Sequence, residues 1–198
     1  MAAQDKPRQI LVLNAGFSSF KFAVFDDRLR KLLSGSAEGI RQAYNLTIAG
    51  NFEHIPSIDH RMALTTALKR LEVHGFALEQ LDAVGHRVMH GGPQLTRPVR
   101  ITSEVHAEIN NCTPLAPLHN PDNLAAVDLL SNLSLKIAQY ASFDTSFHAT
   151  NPEVATRYEI PRMSETKGIR RYGFHGLSYA SLSQTLPELS GRKLPSRL

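Results

Sequence analysis

The stretch Gln9-Ile-Leu-Val-Leu-Asn-Ala-Gly-Phe-Ser-Ser-Phe-Lys-Phe-Ala-Val-Phe25 reads as two β-strands around a turn. Gln9–Leu13 is apolar and β-prone and Gly16 interrupts it. Phe20–Phe25 then resumes, with Phe22 and Val24 alternating against Lys21 and Ala23. The turn combines a glycine that lets backbone N–H groups approach a phosphate, the hydroxyls of Ser18 and Ser19, and the positive charge of Lys21. From this octet alone an ordinary serine-rich hairpin is the stronger reading, and the pattern of a P-loop is absent.

Outward from this hairpin, Leu32–Ile40 supplies a third strand of the same meander, weakened by Gly35 and Gly39. Asp59 caps a predicted helix that runs to Val73, with Met62, Ala63, Ala67, Leu68 and Leu71 at helical spacing and Gly75 just beyond. A second helix starts near Asn120, read as its N-cap before Pro121, and turns Leu124, Val127 and Leu129 or Leu130 inward. Ala83–His90 and Leu135–Phe143 read as strands. Strands first, then strand and helix in alternation, define an α/β domain with a mixed sheet. After Asn151–Pro152 the texture becomes charged and irregular, with a helix expected from Ser178. Residues 1–150 are therefore read as one domain and 151–198 as the incomplete start of another, since about 45 residues bury little surface by themselves.

Composition narrows the function classes. With 42% hydrophobic and 20% charged residues, the 198-residue chain is of the soluble globular type. A net charge of +4 without a Lys/Arg run argues against nucleic acid. No apolar run has the roughly 20 residues of a membrane-spanning helix. The lone Cys112 and an N-terminus without an apolar leader lead to a cytoplasmic expectation.

Four further stretches carry candidate chemistry. In Val84-Gly-His-Arg-Val-Met-His-Gly-Gly92, period two puts Arg87 and Met89 on one strand face and His86, Val88 and His90 on the other. A guanidinium fork beside an apolar methionine suits a small carboxylate with a short alkyl tail; simple pairing with an acidic neighbour is the competing reading. The two histidines lack the Glu of H-E-x-x-H and are assigned no zinc. In Leu115-Ala-Pro-Leu-His-Asn-Pro-Asp-Asn123, His119 lies just outside a helix N-terminus, which attracts anions; a hydrogen-bonded loop histidine is the alternative. In Phe143-Asp-Thr-Ser-Phe-His148, Asp144 sits at the carboxyl end of a strand, where α/β sheets bind ligands, or caps the next turn. In Arg170-Arg-Tyr-Gly-Phe-His-Gly176, flanking glycines point to a sharply bent loop that presents His175, within whose reach a phosphoryl oxygen could be stabilised.

In this order the NAG-x-SS-x-K turn, GHRVMHGG, LAPLHNPDNL, FDTSFH and RRYGFHG resemble the successive signatures of the acetate kinase family, over almost the whole chain. The resemblance implies a ribonuclease-H-like, actin-like ATPase fold and phosphoryl transfer between ATP and acetate, giving ADP and acetyl phosphate. Propionate and butyrate kinases are the nearest relatives. It assigns Mg²⁺ to Asn14, nucleotide phosphates to Lys21 with Ser18 and Ser19, and the carboxylate to Arg87. Met89, Leu118 and His119 line the substrate side, and Asp144 and His175 join Arg87 as catalytic residues. It further implies a homodimer, while charge and hydropathy give the expectation of no nucleic-acid or membrane partner.

Phe17 stands where the family pattern has serine, Leu177 and Tyr179 replace a threonine and a histidine, and Met89 replaces a common valine. Family members continue past these motifs with a second phosphate strand, an adenosine pocket, another arginine and a metal-linked glutamate, so the resemblance is to an amino-terminal half. A non-catalytic binding module is the alternative from another class. A serine hydrolase using Ser18 or Ser19 lacks the G-x-S-x-G elbow. The resemblance makes Asp144 the catalytic acid or base, but because acetate is ionised near neutral pH its expected role is to orient groups, or to handle a proton in the reverse direction, rather than to activate the nucleophile.

Overall fold

A mixed eight-stranded sheet forms the frame, seen in a computed structural model that describes residues 7–16, 19–39, 43–55, 60–134, 136–161, 163 and 168–193. The chain first lays down an antiparallel meander: β1 (Gln9–Ala15), β2 (Ser19–Asp26), β3 (Lys31–Glu38), β4 (Tyr44–Ile48) and β5 (Asn51–Ile55). Helix α1 (His60–Val73) then carries it across to β6 (Ala83–Val88), which pairs parallel to β1. The short strand β7 (Val99–Arg100), α2 (Ser103–Asn111) and α3 (Asn120–Leu133) precede β8 (Ala138–Phe143), parallel to β6. β7 closes the edge antiparallel to β8, giving the order β5-β4-β3-β2-β1-β6-β8-β7. The four-residue α4 (Glu153–Thr156) and α5 (Gly176–Ser190) follow.

Parallel neighbours need a crossover, and here both crossovers are helical. α1 packs on β4, and α3 on α1, β1 and β6. One sheet face is thereby buried: Leu11, Leu13, Phe22, Val24 and Val84 meet Ala63, Ala67, Leu71, Leu129 and Leu130. A smaller cluster, with Val88, Ile109, Leu124 and Phe143 at its centre, extends this core toward β8. No helix among the described residues is long and apolar enough to cross a membrane.

Several expectations change. Asp59 lies outside the described residues, as do Phe17 and Ser18. Met62, placed on the apolar face of α1 by spacing, is 52% exposed, and Leu64 is buried instead. β4 and β5 were not expected; Tyr44, Leu46 and Ile48 alternate inward, and the hairpin turns at Ala49 and Gly50, both with positive φ as a two-residue turn of this hand requires. Gly35 does not weaken β3. A Cβ there would lie 2.3 Å from Phe22 Cζ and 2.5 Å from Thr47 O, so the glycine makes room for the ring that packs across it.

His86 belongs to the buried face, 3% exposed, with Nε2 2.7 Å from Gln139 Oε1. Gln139 in turn donates to Ser131 Oγ at 2.8 Å and Val127 O at 3.2 Å. Burial lowers the imidazole pKa to about 4, only partly offset by the Gln139 contact. The folded pKa lies below the unfolded one, so the native state binds fewer protons and gains stability as pH rises. This contribution is complete above the unfolded pKa of about 6.5 and is lost as pH falls toward 4, amounting to about 3 kcal/mol. Urea unfolding at a series of pH values is expected to show this slope, and His86→Gln, which keeps a donor for Gln139, is expected to flatten it.

Candidate active site

Strands β1, β6 and β8 run parallel and end at one edge of the sheet, the edge where open α/β sheets bind ligands. The last paired residues of β1 and β6 are Leu13 and His86, both on the helix-covered face. One residue further along each strand, Asn14 and Arg87 turn to the opposite face, and Lys21 is the partner of Asn14 across the hairpin. Lys21, Asn14 and Arg87 thus form a row across β2, β1 and β6. Lys21 is exposed and Ser19 half-buried.

Arg87 is held from two sides. Nη2 donates to Asp144 Oδ2 at 2.5 Å, Nε lies 3.2 Å from both carboxylate oxygens, and Nη1 donates to Asn14 Oδ1 at 3.0 Å. The Asp144 side chain is only 2% exposed and that of Arg87 25%, so the carboxylate is buried beneath a partly open guanidinium. Both readings of Arg87 meet here, because an acidic neighbour does pair with it. With Nε and one N–H of Nη2 on Asp144 and one N–H of Nη1 on Asn14, the remaining N–H of Nη1 has no described partner and that of Nη2 has only the weak acceptor Met89 Sδ. Nη2 also lies 4.0 Å from Met89 Sδ. Asp144 does not cap the following turn, where Thr145 occupies the N-cap without a side-chain bond.

Met89 opens onto a groove of about 400 Å³, walled by Leu115, Leu118, His119, Phe174 and His175. Four of the residues singled out by sequence, Met89, Leu118, His119 and His175, therefore share one mostly apolar surface next to the arginine. His119, not Asn120, is the N-cap of α3, and its side chain makes no capping bond. Asn120 is fully buried. It accepts from His90 N and donates to His90 O and Ile109 O, each at 3.1 Å, so its amide is committed to the loop after β6 and not to the helix end.

The loop that presents His175 is built by close approach. Gly173 lies against the His148 ring, 2.5 Å from where its Cβ would stand, and His148 Nε2 lies 2.9 Å from Phe174 O. His175 adopts φ 58°, and Gly176 N donates to Asp144 O at 2.9 Å. Tyr172 and Phe174 meet the buried His90 ring edge-on at 4.5 and 5.8 Å. His90 Nδ1 accepts from Gly92 N at 2.9 Å, and burial pushes its imidazole below the usual range. The MHGG and RRYGFHG stretches are thus locked together.

Sequence reasoning overlooked Asn123 and Tyr172 and read Asn120 only as a helix cap. The available signal was a pair of asparagines within the inward stripe of α3, where apolar residues are the rule. For a metal, the oxygens of Asn14 and Asp144 are the nearest hard donors, and both face the Arg87 cation. Among the described residues no group of three or more His, Cys, Asp or Glu side chains could hold an ion. The described residues do not compose a Mg²⁺ site in this arrangement.

Comparison with known proteins identifies the fold and the family. A propionate kinase from Francisella tularensis matches with a TM-score of 0.85 at 30% identity, over 93% of this chain and 50% of that one. Porphyromonas gingivalis acetate kinase gives 0.81 at 36%, over 94% and 50%. The acetate kinases of Streptomyces griseus and Deinococcus radiodurans are 42% and 40% identical, each over 94% of this chain and 48% of its own length. The mixed sheet with flanking helices has the ribonuclease-H-like, actin-like ATPase fold. A family model described as the acetokinase family matches residues 9–196, and the chain belongs to that family. It spans about half the length of the curated relatives it matches.

Gly176 offers a direct check on the loop. A Cβ at this position would fall 2.2 Å from Asp144 O and 2.7 Å from Phe147 Cβ. Gly176→Ala is expected to cost about 1–3 kcal/mol, the usual range for overpacking. Urea unfolding would measure that loss, and the Asp144 amide resonance should shift as the loop moves.

Proposed function

We propose that this chain supplies the carboxylate side of a phosphotransferase, one that moves a phosphoryl group between ATP and acetate. The single observation that carries the reading is the Arg87 guanidinium, fixed by Asp144 and Asn14 and 4.0 Å from the sulfur of Met89, which lines a groove with Leu118, His119 and His175. The open N–H of Nη1, together with the Nη2 N–H that meets only the weak acceptor Met89 Sδ, presents an end-on fork for a carboxylate, and the apolar wall takes the methyl group. Acetate needs no base near neutral pH, because it is already ionised. Asp144 therefore acts by holding Arg87 in register, and the imidazoles of His119 and His175, which line the same groove as Met89, supply further polar groups to the carboxylate. Positioning and charge neutralisation, the main levers in phosphoryl transfer, are what such a site provides.

Lys21, with Ser19 and Ser18, is assigned to the nucleotide phosphates through its place opposite Asn14. Family membership supports ATP as cosubstrate with Mg²⁺. Residues 1–150 form the carboxylate domain and 151–198 begin a second, in a cytoplasmic homodimer. Propionate is the second reading, because a groove of about 400 Å³ has room for a longer chain.

Acetate binding tests the proposal. Titrating the ¹⁵N-labelled chain with sodium acetate is expected to shift the Arg87 Nε–H resonance. Arg87→Lys keeps the charge but loses the fork, and is expected to weaken binding about tenfold. Equal binding by this variant, or no response in the unaltered chain, would overturn the reading. With the carboxy-terminal half of the Streptomyces griseus enzyme added, ATP and hydroxylamine should trap acetyl hydroxamate.

A further inference from the structure

The ladder between β1 and β6 stops at Leu13 and His86, although both strands continue. β1 goes on to Ala15 paired only with β2, and β6 to Val88 paired only with β8. Into the gap between the two diverging ends comes one side chain from α3. Asn123 Nδ2 donates to Ala15 O at 2.7 Å, and Asn123 Oδ1 accepts from Met89 N at 3.0 Å. The residue is 3% exposed. A side-chain amide has one face that donates and one that accepts, as a peptide unit does, so Asn123 replaces the missing rung of the ladder. What it joins is specific. Ala15 lies between Asn14 and Gly16 in the phosphate turn, and Met89 is the residue through which Arg87 meets the groove.

We propose that Asn123 is a positioning residue for the phosphoryl transfer described above, on which this inference rests, and that it fixes the separation of the phosphate turn from the carboxylate groove. It touches neither substrate. Its effect passes through the backbone of Ala15 on one side and Met89 on the other. In-line transfer depends on that separation, because a displacement of about 1 Å can cost on the order of 10² in rate. An asparagine that merely satisfied buried backbone groups would need no such coupling between the two ends.

Two variants separate these roles. Asn123→Asp is nearly isosteric and keeps the acceptor for Met89 N, but sets a carboxylate oxygen against Ala15 O. Asn123→Ala removes both bonds, and carries the test should the aspartate variant fail to fold. In the ¹⁵N-labelled full chain titrated with sodium acetate, the unaltered protein is expected to show Arg87 Nε–H and the Ala15 and Gly16 amides responding together along one binding curve. In either variant the Arg87 signal is expected to respond alone, with acetate affinity about tenfold weaker. If Ala15 and Gly16 respond in both variants as in the unaltered chain, at unchanged affinity, the bridge is only packing and the role is overturned. If acetate moves no resonance in the unaltered chain, the functional reading itself falls and takes this role with it.

Discussion

The pairing of Asp144 with Arg87 is the interaction on which the site depends. A carboxylate at 2% exposure is tolerable only with a counter-charge and further donors, and breaking such a pair leaves an uncompensated buried charge. Asp144 is reached from three directions. The Arg87 guanidinium meets its side chain, Val88 O accepts its N–H at 3.0 Å, and Gly176 N donates to its carbonyl. These contacts tie β6, the end of β8 and the start of α5 to one residue. Because Arg87 also takes Asn14, the end of β1 is drawn into the same arrangement. A charge pair this well held does not contribute large net stability by default. Its consequence here is orientation, since a planar fork anchored along one edge can point in only one direction.

Much of this was legible in the residues, and the parts that were not have physical reasons. The hairpin of residues 9–25 was readable because alternation and a breaking glycine are local signals. The parallel strands were readable as apolar runs at the right spacing. β4 and β5 were hidden because only Tyr44, Leu46 and Ile48 carry the pattern, while Asn51–Ile55 is mostly exposed at the sheet edge. Gly35 misled because its meaning lies in the Phe22 ring across the sheet, a contact between residues that local sequence does not show as neighbours. Within the site, Arg87, Met89, His119, Asp144 and His175 stood out as reactive types in unusual company. That Arg87 and Asp144 face each other required the register of β6 against β8, where Val88 meets Phe143.

Asparagine was the residue type most easily misread. Asn120 before a proline looks like a helix cap by every local rule, yet its amide is turned inward to the backbone of His90 and Ile109. The helix starts without its help, since Pro121 fixes the first turn. Freed from capping, Asn120 and Asn123 act as two clamps on the segment after β6, one residue apart at Met89 and His90. That segment bears no ladder bond to β1, so without these amides its backbone groups would be buried unpaired.

The same logic explains why the row of polar and charged side chains lies where it does. On the helix side Leu11, Leu13, Ala15 and Val84 of β1 and β6 are packed into the apolar core, and the polar His86 beside them is kept neutral by burial. A charged arginine on that side would have to be desolvated against α3. On the opposite face Val12 and Tyr140 are 39% and 42% exposed, so the row of Lys21, Asn14 and Arg87 lies on a face open to solvent. Period two in the strands therefore does more than place side chains. It sorts adjacent residues of one strand, His86 and Arg87, into a buried neutral group and a partly open cation, one step apart in sequence and on opposite sides of the sheet.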